Sequence, residues 1–99
     1  MPYRIAYSPA AVEHLKALNA RQRTNVLDSV DKQLQDLAAV ETRNRKPMRP
    51  NPVAPWELRV GDLRVYYDIK EEQDKHVIIL AVGVKRGSRV FIGGEEVEL

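Results

Sequence analysis

Between Trp56 and Val84 apolar and polar positions alternate on either side of Gly61-Asp62, which predicts two strands joined by a two-residue hairpin turn. Pairing Val60 with Leu63 sets Leu58 opposite Val65 and Trp56 opposite Tyr67 on one face. Arg59 then meets Arg64, and Glu57 meets Tyr66, on the other. A second pairing, Ile69 with Ile78, carries the register on to Val65 opposite Val82 and Arg64 opposite Gly83. The run His76 to Val82, HVIILAV, is almost continuously apolar, as expected of a central strand.

The N-terminal part has other periods. Residues Tyr3 to Tyr7 alternate and predict a short strand. Ser8-Pro9 predicts a helix start, with serine as the cap and proline at the first helical position, and Val12, Leu15 and Leu18 form a stripe. After a break near Asn19-Ala20, a second helix is predicted to about Ala39, with Leu27, Val30, Leu34 and Leu37 on one side. The order is β-α-α-β-β-β. It predicts a single α+β domain over residues 1–99, with a helical hairpin packed on one face of a mainly antiparallel sheet. The expected core joins Trp56, Leu58, Val65, Tyr67, Leu80 and Val82 to Leu15, Leu27, Val30 and Leu34.

From Glu41 to Pro55 four prolines argue against regular structure, and Arg43, Arg45, Lys46 and Arg49 make this linker basic. It is either a solvated connection or a phosphate contact. Beyond Gly83 come Lys85, Arg86 and Arg89, then Val90-Phe91-Ile92 as a short edge segment closed by Gly93-Gly94.

Charge sharpens this picture. The formal net charge is only +2, but Glu95, Glu96 and Glu98 crowd the end, so residues 1–94 carry 16 basic against 11 acidic groups. A basic body favours phosphate-rich or acidic partners. The chain has no cysteine, hence no disulfide or thiolate metal site, and it shows no signal-peptide pattern or membrane-length apolar run. These features predict a cytoplasmic protein with no membrane association. His14 and His76 lack ligand spacing and are expected on a helix surface and in a turn; no metal or cofactor is predicted.

The Arg59 and Arg64 pair is the most informative chemistry, since like charges opposed on a sheet do not favour folding. Either Glu57 and Asp68 neutralise them or a ligand does, and Gly83 beside Arg64 leaves space for one. No hydrolase triad, P-loop, dinucleotide turn or paired-histidine motif accompanies them. Guanidinium and ammonium groups on a sheet remain, which suit phosphate binding and stabilisation of a phosphorane-like charge.

WELRVGDLRVYYDI and VIILAVGVKRGSRVF, with the strand, helical hairpin and three-strand order, resemble the RelE/ParE superfamily of bacterial toxins over most of the chain. For RelE-type members the resemblance implies ribosome-dependent cleavage of messenger RNA, in which a 2′-hydroxyl attacks the adjacent phosphate. By position, Arg64 matches the arginine at the scissile phosphate. Lys85, or Arg86 with a shift of one, matches the basic residue of the last strand, and Phe91 falls where RelE has a tyrosine. Pro55 and Glu57 stand where RelE has two lysines, and Phe91 has no hydroxyl to move a proton. Glu57 is either a base or a charge partner of the arginines, and Tyr66 is an alternative hydroxyl. Arg43, Arg45, Lys46, Arg49, Arg59 and Arg89 are the expected RNA and phosphate contacts. The resemblance also implies a cognate antitoxin, with ribosome and messenger RNA as target or, in the ParE alternative, DNA gyrase bound without nuclease chemistry; a non-catalytic, non-toxic member of either line is the further alternative.

Overall fold

The computed structural model describes residues 2–72 and 74–99. Strand β1 (Arg4–Tyr7) leads into helices α1 (Pro9–Lys16) and α2 (Ala20–Leu34). The strands β2 (Arg45–Pro47), β3 (Trp56–Val60), β4 (Leu63–Lys70), β5 (His76–Arg86), β6 (Arg89–Ile92) and β7 (Glu95–Val97) follow. They form one sheet in the order β2-β3-β4-β5-β6-β7, antiparallel throughout, and β1 joins it by pairing parallel with the first part of β5. The expected α+β arrangement, a helical hairpin on one face of a mainly antiparallel sheet, is what the chain adopts.

Both helices start as their caps dictate. The Ser8 side chain accepts from the Ala11 N–H at 3.1 Å, with Pro9 at the first helical position. Asn19 and Gln22 cap α2 reciprocally, at 2.8 and 3.1 Å. The turn between the helices is closed by Arg23, whose guanidinium donates to the carbonyls of Leu15 and Leu18.

The stripe that enters the core keeps Leu15, Val30 and Leu34 as expected but takes Ala11 in place of Val12 and Val26 in place of Leu27. On α1, Ala11 and Leu15 are buried while Val12 is 38% exposed; on α2, Val26, Val30 and Leu34 are buried while Leu27 is 38% exposed. The buried α2 positions are four apart, so they stack on one side of the helix, and Ala38 continues the series through the turn that follows Leu34. The helix itself ends at Leu34, short of Ala39, and Leu37 is exposed. This side packs on Leu58, Leu63, Val65, Tyr67, Val77, Ile79 and Val82.

The β3–β4 register is as expected, Val60 to Leu63 through Trp56 to Tyr67, about a turn in which Gly61 takes φ 58°. In β4–β5 the pairs Arg64–Gly83 and Val65–Val82 also hold, but a bulge between Tyr66 and Tyr67 shifts the rest, so that Ile69 pairs with Val77 and not Ile78. Tyr66 faces Ala81 and Tyr67 faces Ile79, leaving Leu80 as the extra residue. The bulge sends Leu80 to the face away from the helices and gives its place in the core to Ile79.

The proline-rich stretch is more ordered than its composition suggests. Arg45–Pro47 pairs with β3, and Asn51 then fastens the loop, its Oδ1 accepting the N–H groups of Val53 and Ala54 and its Nδ2 donating to the carbonyls of Arg49 and Ala54. Past Gly94 the acidic tail adds β7, an element absent from the sequence-based expectation.

Candidate functional site

The face of the sheet turned away from the helices is an open, partly walled surface. Two rows cross it. Lys46, Glu57, Tyr66 and Ala81 are opposed on β2 to β5, and Arg59, Arg64, Gly83 and Ile92 are opposed on β3 to β6. One wall is the loop bearing Met48, Val53 and Ala54; the other is Val90 and Ile92 of β6, and both pack against Tyr66 and Ala81.

The two opposed arginines avoid each other. Arg59 Nε pairs with Glu57 Oε1 at 3.1 Å, so Glu57 is a charge partner here. Arg64 is only 7% exposed, and its Nη1 donates to the carbonyls of Gly61 and Leu63 at 2.8 and 2.9 Å. Asp68 does not neutralise it; that carboxylate pairs with Lys70 at 3.0 Å. Among the described residues Arg64 Nε and Nη2 make no hydrogen bond, which leaves part of its donor fork for a ligand.

Gly83 does not leave space beside Arg64. A Cβ built there would lie 2.9 Å from Ile92 Cγ1, 2.9 Å from the Phe91 carbonyl and 3.3 Å from Val90 Cγ1, so the missing side chain admits β6. Lys85 stands on the same face, two residues along β5, and its N–H donates to the Asp62 carbonyl at 2.7 Å, tying the end of β5 to the hairpin turn.

Tyr66 is fully buried at the floor, and its hydroxyl has no hydrogen-bond partner among the described residues. Burial above all, and then the Glu57 carboxylate, push its pKa well above the usual phenol range, with Arg64 and Arg59 opposing. At neutral pH it stays protonated.

The six expected catalytic residues therefore divide between two surfaces. Glu57, Arg64, Tyr66 and Lys85 share the open face. Phe91 is paired with Val84 and Arg86 with Arg89, which puts all four side chains on the helix side. There Arg86 lies over the Phe91 ring at 6.0 Å, both lining a cleft of about 350 Å³ with His14, Leu18, Val82 and Val84.

The expected phosphate contacts also separate. Arg43 and Arg49 are exposed and Lys46 is half-buried opposite Glu57. Arg89 is exposed and lies 3.8 Å from Glu96. Arg45 is a correction: it is 4% exposed, with Nε on the Val40 carbonyl at 3.1 Å and Nη1 on the carbonyl and side-chain oxygen of Gln33. Its charge closes the C-terminal end of α2, where the helix dipole favours a cation. Tyr67 helps from β4 by donating its hydroxyl to the Ala38 carbonyl at 2.8 Å.

Two residues with positioning roles escaped the sequence reading. Asn51 had a signal in Asn-Pro, a turn-forming pair. His14 had none, because its partner is a backbone N–H 68 residues away. Among the described residues no group of three or more His, Asp or Glu is placed to hold a metal, and no helix is long and apolar enough to cross a membrane.

A family model described as the ParE toxin of the type II toxin–antitoxin system, parDE, matches residues 5–90, and the chain belongs to that family. The fold is shared with a chain of the toxin–antitoxin complex RelBE2 from Mycobacterium tuberculosis, with a TM-score of 0.73 and 27% identity over 87% of this chain and 100% of that one. Among curated proteins no sequence matches. The protein is the toxin of a type II toxin–antitoxin system, and its partner is a cognate antitoxin.

Proposed function

We propose that this toxin acts by binding its target, DNA gyrase as in the ParE reading, and does not cut RNA. The observation that carries this is the division of the nuclease set. RNA cleavage by an internal 2′-hydroxyl needs a base and an acid on either side of the phosphate that the cations hold. Here Glu57 is engaged by Arg59, the Tyr66 hydroxyl is buried, and Phe91 and Arg86 lie on the opposite side of the sheet. Either target places the protein in the cytoplasm.

A second reading, ribosome-dependent cleavage of messenger RNA, is favoured by the likeness to RelBE2 and by Arg64, Lys85, Arg59 and Lys46 sharing one face. In that reading Arg64 and Lys85 hold the scissile phosphate, while Glu57 and Tyr66 are the groups left for proton transfer. One experiment separates the two. Purified toxin is added to a gyrase supercoiling assay, and messages from induced, antitoxin-free cells are mapped for breaks. Inhibited supercoiling with intact messages is expected; breaks at a fixed codon phase with unaffected gyrase overturn the binding reading.

A further inference from the structure

One edge of β5 is served by two different strands and has a gap between them. β1 pairs with it from His76 to Ile79, and β6 pairs with it from Gly83 to Arg86. Within and beside the gap, side chains and a cap from the start of α1 take over the backbone groups. Ser8 N–H donates to the Ile79 carbonyl at 2.9 Å, and Ser8 Oγ donates to the Leu80 carbonyl at 3.1 Å. The remaining donor, the Val82 N–H, goes to His14 Nδ1 at 3.2 Å. An imidazole nitrogen can accept only while it carries no proton, so this bond requires neutral His14 with its proton on Nε2. The other edge of the ring faces the β6–β7 turn, where a Cβ on Gly93 would stand 3.6 Å from Nε2 and Cδ2.

We infer that His14 is an acid-sensitive fastener: its protonation removes the acceptor of the Val82 N–H and loosens α1 from β5. The surroundings resist that protonation. On α1 the neighbouring charges Glu13 and Lys16 pair with each other at 3.1 Å. Arg23 of α2 is committed to the carbonyls of Leu15 and Leu18. From β5 the charged group sharing the cleft with His14 is Arg86, a cation; β6 contributes Phe91 to it, and the turn contributes Gly93 and Gly94. Arg89 of β6 and Glu96 of β7 lie on the same side of the sheet and pair with each other at 3.8 Å. The last turn of α1 favours a cation, but burial of the ring outweighs it and lowers its pKa from the ordinary value. The sign follows: with the folded value below the unfolded one, the stabilisation is complete above about pH 6.5 and is lost as pH falls below it.

Nitrogen-15 spectra of the imidazole and amide exchange at Val82, followed from about pH 7.5 to about pH 5, test this on the intact toxin. The expected result is the Nε2–H tautomer at the upper end, a titration midpoint below that of free histidine, and Val82 protection that drops roughly three- to tenfold through it, relative to amides of β4. His14→Gln, whose amide oxygen accepts without titrating, should show Val82 protection independent of pH. An Nδ1–H tautomer, an ordinary or raised midpoint, or Val82 protection that stays constant through the titration overturns the inference, and these three readings need no variant.

Discussion

Arg59 and Arg64 are directly opposed on β3 and β4, yet their guanidinium groups diverge, one to Glu57 on its own strand and the other to the two carbonyls of the hairpin turn. Cross-strand repulsion is thereby exchanged for two local attachments. Arg64 braces the turn, so its place on this face does not by itself indicate a ligand.

The first expected outcome is therefore a loss of stability in Arg64→Ala. Two hydrogen bonds from a charged, buried group disappear, for a cost of about 1–3 kcal/mol. Urea unfolding at matched ionic strength checks this. An unchanged midpoint would return Arg64 to the status of a residue kept for a ligand alone.

Because the bulge exchanges Leu80 for Ile79 in the core, the two alanine variants should differ. Ile79→Ala should cost ~2–5 kcal/mol by opening a cavity in the core beside its strand neighbours Tyr67 and Tyr7. Leu80→Ala, half-buried on the open face, should cost about 1–2 kcal/mol. Equal costs, or the reverse order, in guanidinium unfolding would put the bulge elsewhere.

Among the loop arginines, Arg45→Ala should leave the Gln33 and Val40 carbonyls without their buried donor and cost ~2–3 kcal/mol. Arg43→Ala and Arg49→Ala, both exposed, should stay within about 0.5 kcal/mol. Any salt-dependent affinity for polyanions should follow Arg43 and Arg49, read from binding isotherms at low and high salt.

Tyr66→Phe removes a buried hydroxyl that satisfies nothing, so stability should be unchanged or rise by up to about 1 kcal/mol. A clear loss of stability in thermal melts would mean that the hydroxyl is bonded in solution, with Glu57, its cross-strand neighbour, as the acceptor.

The Gly61-Asp62 turn has a defined chemistry and alternation on both sides, so the register as far as Arg64–Gly83 was legible. The bulge was not: HVIILAV has apolar residues at every position after His76, so no alternation marks where one residue is inserted. Leu27 and Val26 both fit helical spacing to Val30, three and four residues away, and the direction in which α2 meets the sheet decides for Val26. Charge was legible as composition, but its use was not. Arg45 differs from Arg43 and Arg49 in lying on β2 opposite Leu58, where α2 ends in space, and Arg86 is parted from Lys85 by the two-residue period of a strand that outlasts its expected end.

The parallel pairing of β1 with β5 also bears on when the sheet can close. Arg4 finds its partner at His76, 72 residues later, so the first strand made waits for most of the chain. Closing so long a loop is slow, and until it closes the helices that follow β1 have no completed sheet to cover. A chain still being synthesised thus cannot complete its sheet until β5 has been made.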